Sequence, residues 1–321
     1  MSALLEVEGL RVKLPTPTGF ATVVDGVDYQ VEQAQVFGVA GESGSGKTIS
    51  MLALLGLLPE GSLVEGSASF GGKDLLRLRA GELRSVSGRE IGMVFQDPMT
   101  SLHPMLTIGK QLTEHVRRHL GLDRNAAARR AVELLDHVRI PDPESALHAY
   151  PHQFSGGMRQ RIAIAIALAC GPRLLIADEP TTALDVTVQA GILRLLDRLR
   201  HESDLSVILI THDLAVMSSL ADRVSVFYAG RVVESGTRAE VLQYPRHPYT
   251  RALLDALPHQ DAVRDTPLIA IKGTPPTPQQ IPPGCPYHPR CAYAVDICTT
   301  EDPPLHPHGR RRLACHVDPF R

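Results

Sequence analysis

Gly41-Glu42-Ser43-Gly44-Ser45-Gly46-Lys47-Thr48 fits the pattern G-x-x-x-x-G-K-[ST], and its flanks supply the context that pattern requires. The apolar run Val36-Phe37-Gly38-Val39-Ala40 before it reads as a buried strand, and Thr48 to Leu55 after it reads as a helix. Glycines let successive backbone N–H groups converge on one anion, and the helix dipole adds partial positive charge at the same place. Ser43, Gly44, Ser45 and Gly46 would cradle phosphates, with Ile49 in the first helical turn. Lys47 can then reach the outer phosphates, and the Thr48 hydroxyl can ligate Mg²⁺. A strand, this loop and a helix in succession predict an α/β nucleotide-binding fold.

Composition sets the outer limits. The chain has 321 residues, enough for one large domain and a smaller one, and 43% are hydrophobic, enough for a sizeable core. Its formal net charge of −2 gives no electrostatic case for nucleic acid. A membrane-spanning helix needs about 20 apolar residues, and Ile162 to Cys170 is half that. Met1-Ser2-Ala3-Leu4 does not open a signal peptide. A cytosolic location is expected, which leaves room for a membrane protein as partner. Aromatic residues are 4% and Trp is absent, against an aromatic-rich recognition surface.

From the N-terminus, Leu10, Val12 and Leu14 alternate with Arg11 and Lys13, the period of a half-buried strand. Thr16 to Gly19 makes a turn, and Val23 to Val31 a second strand leading to the phosphate loop. Gly66 to Asp74 has the look of a hairpin edge. Ile91 to Phe95 is a further apolar strand, delivering Gln96 at its end. From Thr107 the pattern turns helical. Ile108, Leu112, Val116 and Leu120 share one stripe. A second helix, capped by Asp123, has Ala127, Ala131, Leu134, Leu135 and Val138 on its apolar face, and Pro141-Asp142-Pro143 ends it. A helical insert of roughly fifty residues therefore sits between strand-rich parts.

Beyond the insert, Arg173 to Glu179 is an apolar strand ending in two acids, and Val207 to Thr211 is another buried strand, the two separated by a helix carrying Val188, Ile192, Leu195, Leu196 and Leu199. Alternating strands and helices predict a parallel sheet, and ligands collect at its strand ends. Asp178 is suited to hold Mg²⁺ and Glu179 to orient and deprotonate an attacking water. Either acid alone, His212 alone or Gln96 alone would read as an ordinary surface or structural group. Phe154-Ser155-Gly156-Gly157-Met158-Arg159-Gln160-Arg161 changes the balance, because Ser155 and two glycines present bare N–H groups at a helix start. Ile162 to Ala167 alternates like a strand, yet alanine content and length favour helix.

With these residues in hand, the chain resembles the ATP-binding cassette ATPases. The phosphate loop, Gln96, Ser155-Gly156-Gly157, Asp178-Glu179, the loop Ala183-Leu184-Asp185 and His212 occur in that family's order over residues 1 to about 236. The resemblance implies two cassettes closing head to tail on two ATPs. Each ATP would touch Lys47 and its loop in one subunit and Ser155, Gly156, Gly157, Met158 and Gln160 in the other. Glu179 would be the general base. His212 would contact the γ-phosphate, Gln96 would sense it and signal to the helical insert (about 97–153), Asp185 would lie at the dimer seam, and Phe20 would stack on adenine. Within the family, Gln96 to Leu102, the signature, Asp178 to Thr187 and His247-Pro248-Tyr249-Thr250-Arg251-Ala252-Leu253-Leu254 look like the oligopeptide/dipeptide permease ATPases. That group implies a second, related ATPase, two membrane permease subunits and, indirectly, an extracytoplasmic solute-binding protein, at the cytoplasmic face of the membrane. Phe154, Met158, Ala183 and His103 depart from commoner residues, and none removes a catalytic group.

Residues 237–321 read as an extension. Thirteen of the 25 prolines lie from Pro258 onward, and Lys272 to Gly284 is an extended connector. Cys285, Cys291, Cys298 and Cys315 follow with spacing C-x₅-C-x₆-C-x₁₆-C. The expectation is a metal site or two disulfides; a cytosolic protein disfavours disulfides. Zinc prefers closer pairs than these, whereas an iron–sulfur cluster needs four thiolates without that constraint. The permease ATPases resembled here carry a four-iron cluster in this extension, so a [4Fe-4S] cluster ranks ahead of Zn²⁺, and His288, His306, His308 and His316 are not needed as ligands. With few apolar residues, the segment from Pro275 is expected to have the four cysteines as its only staple, and Cys170 is expected in helical core packing. The functional expectation is an ATPase powering a peptide-type importer. The alternatives are a soluble cassette ATPase in translation or DNA repair, or an importer ATPase for nickel or another small solute.

Overall fold

A computed structural model describes residues 3–97, 101–182, 184–257 and 270–320. Pro98, Met99, Thr100, Ala183 and Pro258 lie outside the described residues. The chain divides into two units. One comprises Met1–Val31, Phe37–Arg77 and Thr211–Arg321; the other comprises Glu32–Val36 and Leu78–Ile210.

The first unit begins with an antiparallel sheet in which Leu5–Thr16 lies between Gly19–Val31 and Leu63–Phe70, with Lys73–Asp74 at the edge. Leu10 and Val12 are buried as their alternation implies, whereas Leu14 is half-buried; Leu5 and Val7 are buried on the far side of a bulge. The register slips between Glu8 and Arg11. Gly66 crosses this bulge with φ of 107°, where a Cβ would come within 2.7 Å of the Glu8 and Gly9 carbonyl oxygens. Only glycine fits that crossing.

Val36–Ala40 is buried at every position, as expected for a strand covered on both faces. It runs parallel to Arg223–Tyr228, with Phe37 opposite Arg223 and Ala40 opposite Val226. Arg223–Tyr228 pairs antiparallel with Arg231–Thr237. The next strands come from the tail: Arg311–Leu313 pairs with Arg231–Thr237, and His306–His308 pairs with Arg311–Leu313. The expected domain boundary at residue 236 therefore falls inside a strand.

This arrangement corrects the expectation that four cysteines are the tail's only staple. Glu234 lies opposite Leu313, which is 1% exposed. The fully buried Glu234 carboxylate accepts from Arg311 at 3.0 Å and from the backbone N–H groups of Arg246 and His247. Arg246 pairs with Asp318 near the C-terminus. Tyr287 packs edge-on against Tyr228, with ring centroids 5.2 Å apart. The tail strands are three residues each, too short for their period to stand out in sequence. Lys272 to Gly284 forms neither helix nor strand.

In the second unit three parallel strands lie in the order Ile91–Val94, Leu174–Asp178, Ser206–Ile210. Helices Ile108–Leu120, Arg124–His137 and Pro143–Ala146 make up the insert, capped by the side chains of Thr107, Asp123 and Asp142. Ala127, Ala131, Leu134, Leu135 and Val138 are buried together with Ile108, Leu112 and Val116. Leu120 departs from its predicted stripe and is 37% exposed, at the last turn before Gly121 ends the helix. Gly156–Ala167 is helical throughout, so alanine propensity outweighs the apparent alternation. Cys170 is not in that helix; it stands half-buried in the turn that follows. No helix among the described residues is long and apolar enough to cross a membrane.

Candidate functional site

The phosphate loop has the backbone its sequence calls for. Gly41 has φ of 145°, and a Cβ there would stand 2.3 Å from the Phe227 carbonyl oxygen. Gly46, with φ of 96°, caps the helix Lys47–Leu55. The loop is tied down from outside, since Gly230 N–H donates to the Ser45 carbonyl at 3.0 Å. Lys47 is 6% exposed, and its ammonium donates to the carbonyls of Gly41 and Glu42, both at 2.8 Å. Ser43 and Gly44 are exposed, Ser45 is buried, and Thr48 and Ile49 are half-buried in the first helical turn. A glycine-rich turn, a helix N-terminus and a confined ammonium are the parts from which an anion cradle is built.

Two further predicted residues belong to this unit. Phe20, the second residue of the strand Gly19–Val31, is 57% exposed. His212 is exposed just before the helix Leu214–Leu220, whose cap Asp213 accepts from the N–H groups of Ala215 and Val216.

Sequence reasoning missed a second layer beneath the loop. Arg290, from the tail, forms a forked ion pair with Glu42: its Nη1 donates to Oε2 at 2.7 Å and its Nη2 to Oε1 at 3.0 Å. The Glu42 N–H donates to the Tyr249 hydroxyl at 2.9 Å. The only sequence signal was that His247-Pro248-Tyr249 belongs to a recognisable stretch. Nothing in the spacing pointed Arg290 at an unspecified position of the loop motif.

The second unit holds the acids and the signature. Asp178 ends the strand Leu174–Asp178 and is 3% exposed. Glu179 follows with φ of 45°, a left-handed backbone unusual for a residue with a side chain. Its N–H is held by the Ile210 carbonyl at 2.9 Å. Its carboxylate accepts from Gln96 Nε2 at 2.9 Å and from the Thr182 hydroxyl at 2.8 Å. The two predicted residues Gln96 and Glu179 are thus joined directly. Backbone strain at a sharp strand exit is a common mark of a functional carboxylate.

Ser155 caps the helix Gly156–Ala167, its hydroxyl accepting from Met158 N–H at 3.3 Å. Gly157 lies so close to the next helix that a Cβ would stand 2.4 Å from Val188 Cγ1. Gln160 is 1% exposed, and its Nε2 has no hydrogen-bond partner among the described residues. Asp185 caps the helix Val186–Ser203, accepting from Val188 N–H at 2.9 Å. Gly157 and the Asp185 cap therefore both meet Val188.

In the tail, Cys285, Cys291, Cys298 and Cys315 all line one cavity, with His247 and Tyr287 in its wall. Burial pushes the Cys285 thiol up to about 11, with smaller contributions from the other three cysteines. Burial also raises the thiols of Cys291 and Cys315. No group of three or more His, Cys, Asp or Glu among the described residues is set to hold a metal ion, neither for the expected [4Fe-4S] cluster nor for the Zn²⁺ alternative. His288 Nδ1 and His316 Nε2 hydrogen-bond with the Cys285 and Glu301 carbonyls, and both histidines line the same cavity as the cysteines.

Residues 24–182 match the ABC transporter family, and residues 233–298 match the oligopeptide/dipeptide transporter C-terminal region. The oligopeptide transport ATP-binding protein OppD of Haemophilus influenzae is 47% identical over 298 residues, 93% of this chain and 92% of that one. The dipeptide transport ATP-binding protein DppD of the same organism is 47% identical over 316 residues, 98% of this chain and 96% of that one. Among solved structures, the dimeric post-hydrolysis state of the cassette MJ0796, bound to ADP and Pi, matches with a TM-score of 0.65 and 25% identity. It covers 73% of this chain and 98% of that one. The chain belongs to the ATP-hydrolysing ABC transporter ATPases, in the branch that carries the oligopeptide/dipeptide transporter C-terminal region.

Proposed function

We propose that this chain is the ATP-hydrolysing subunit of a peptide importer, acting from the cytoplasmic face of the membrane. The observation that carries the reading is the C-terminal region, because residues 233–298 match a region named for oligopeptide and dipeptide transporters. Relatives named for oligopeptide and dipeptide transport, similar over nearly the whole chain, support it. The names of these relatives describe neither a soluble role in translation or repair nor import of nickel.

Lys47 and the loop N–H groups bind the ATP phosphates, and Phe20 stacks on adenine. Thr48 and Asp178 are the groups assigned to Mg²⁺, which would neutralise charge on the phosphates. Glu179 orients and deprotonates the attacking water, held in position by Gln96 and Thr182. His212 steadies the γ-phosphate. Ser155, Gly156, Gly157, Met158 and Gln160 serve the ATP of a partner cassette, with Asp185 at the seam. The partner is a second, related ATPase, and the pair drives two permease subunits supplied by an extracytoplasmic solute-binding protein.

The cysteine pocket is assigned to a [4Fe-4S] cluster. Cys285, Cys291, Cys298 and Cys315 line one cavity, which supports that assignment. Its role is structural, since nothing in ATP chemistry needs an electron. The test of the main reading is co-purification of the tagged chain from its native membranes. Recovery of permease subunits and a second cassette is expected; recovery of the chain with ribosomes or DNA-repair proteins would overturn the reading.

A further inference from the structure

Arg290 reaches from the tail to the phosphate loop and is held on every side. Its guanidinium side chain is 5% exposed. Beyond the two bonds to Glu42, its Nε donates to the Lys272 carbonyl at 2.9 Å and its Nη1 to the Tyr228 hydroxyl at 3.3 Å. The same guanidinium lies 5.7 Å from the Tyr228 ring centroid and 5.9 Å from that of Tyr287. Such a group cannot swing away without leaving several donors unpaired.

Glu42 is fixed at three points. Its carboxylate takes the Arg290 fork, its N–H donates to Tyr249, and its carbonyl accepts from Lys47 Nζ. The last contact matters most, because it joins the tail to the lysine that binds phosphate. An ion pair buried on its Arg290 side is a poor device for stability alone, since desolvation offsets much of its attraction. Here the tail is already fastened by the strand Arg311–Leu313 and the Glu234–Arg311 pair. What the Arg290–Glu42 pair adds is a defined position for one residue of the phosphate loop.

We propose that Arg290 is a positioning residue for ATP binding: through Glu42 the tail holds the phosphate loop in the shape that presents Lys47 and the loop N–H groups to the nucleotide. A fork matched to a carboxylate fixes orientation in a way a single ammonium does not. The C-terminal extension is thereby coupled to the nucleotide site through Glu42. The inference rests on the assignment of the loop to ATP.

The test uses the full chain and its variants Arg290→Gln, Arg290→Lys, Glu42→Gln and the double variant Arg290→Gln/Glu42→Gln. Binding of a fluorescent ATP analogue and steady-state hydrolysis are measured beside limited proteolysis of the tail. Arg290→Gln and Glu42→Gln should each weaken nucleotide affinity and raise KM about tenfold. In both, kcat at saturation should stay within about twofold, because Glu179 is untouched. The double variant should be no worse than either single one, because both remove the same contact. Arg290→Lys should fall between wild type and Arg290→Gln, and it carries the test should Arg290→Gln not fold. Unchanged affinity in a folded Arg290 variant would overturn the proposal, as would additive losses in the double variant. Affinity lost only together with a protease-sensitive tail would also overturn it. A wild-type chain that does not bind ATP would sink the nucleotide assignment itself, a distinct result.

Discussion

Gln96 donates to Glu179 across 2.9 Å, so the group assigned to sense the γ-phosphate grips the group assigned as general base. Thr182 holds the same carboxylate oxygen at 2.8 Å. Glu179→Gln should therefore retain ATP, because Lys47 and the loop are untouched, and lose about 10²–10⁴-fold in turnover. The ATP-bound dimer should accumulate on size-exclusion chromatography. Near-normal hydrolysis by this variant would mean that another group deprotonates the water.

Ser155→Arg probes the opposite face of the signature helix. Its bulk and charge would displace the N-terminal N–H groups from a partner's γ-phosphate. ATP binding to the mutated subunit should be unchanged, and hydrolysis at the ATP held by the partner's loop should fall. Single-turnover assays on a complex with one signature mutated distinguish the two sites. Equal rates at both would remove the head-to-tail arrangement.

His247 supplies a pH signature. Complete burial holds its imidazole down at about 3, against about 6.5 in an unfolded chain. The unfolded state takes up the proton first as pH falls. Stability is therefore fully present above about pH 6.5 and is lost progressively down to pH 3, on the order of 3 kcal/mol by pH 4. His247 Nδ1 accepts from Tyr249 N–H at 3.1 Å, a bond that an asparagine side chain can replace. His247→Asn should flatten the loss of urea stability between pH 6.5 and 4. A variant whose stability falls as steeply as wild type would assign the acid sensitivity elsewhere.

The cysteine pocket makes a prediction readable by eye. Protein purified without oxygen should be brown, with iron and sulfide in near-equal amounts. Cys298→Ser, at the most buried of the four cysteines, should lose the colour and expose the segment around Cys285 to protease. The strand Arg311–Leu313 should keep its protection, since it is fastened to Arg231–Thr237 independently. Colourless wild-type protein without iron would rule out the cluster.

The parts legible in the sequence are those whose function demands a residue type at a short fixed spacing. Gly41 to Thr48, Ser155 to Gly157 and Asp178-Glu179 are of that kind, and each sits on the strand end or helix start that its flanks imply. What stayed hidden depends on distant partners. Arg290 and Glu42 are 248 positions apart, and Glu42 occupies a position the loop motif leaves open. The tail strands escaped because three residues carry too little period to read. Cys170 was misplaced because the apolar run outlasts its helix, which stops at Ala167.

The most direct measurement of the central claim reconstitutes this chain with its permease subunits and second cassette in vesicles. ATP hydrolysis and uptake of a labelled peptide are followed together after addition of peptide-loaded binding protein. The account predicts that peptide stimulates hydrolysis, that uptake needs ATP, and that Glu179→Gln abolishes both while ATP stays bound. Hydrolysis indifferent to peptide, or uptake that survives the loss of Glu179 in this chain, would contradict it.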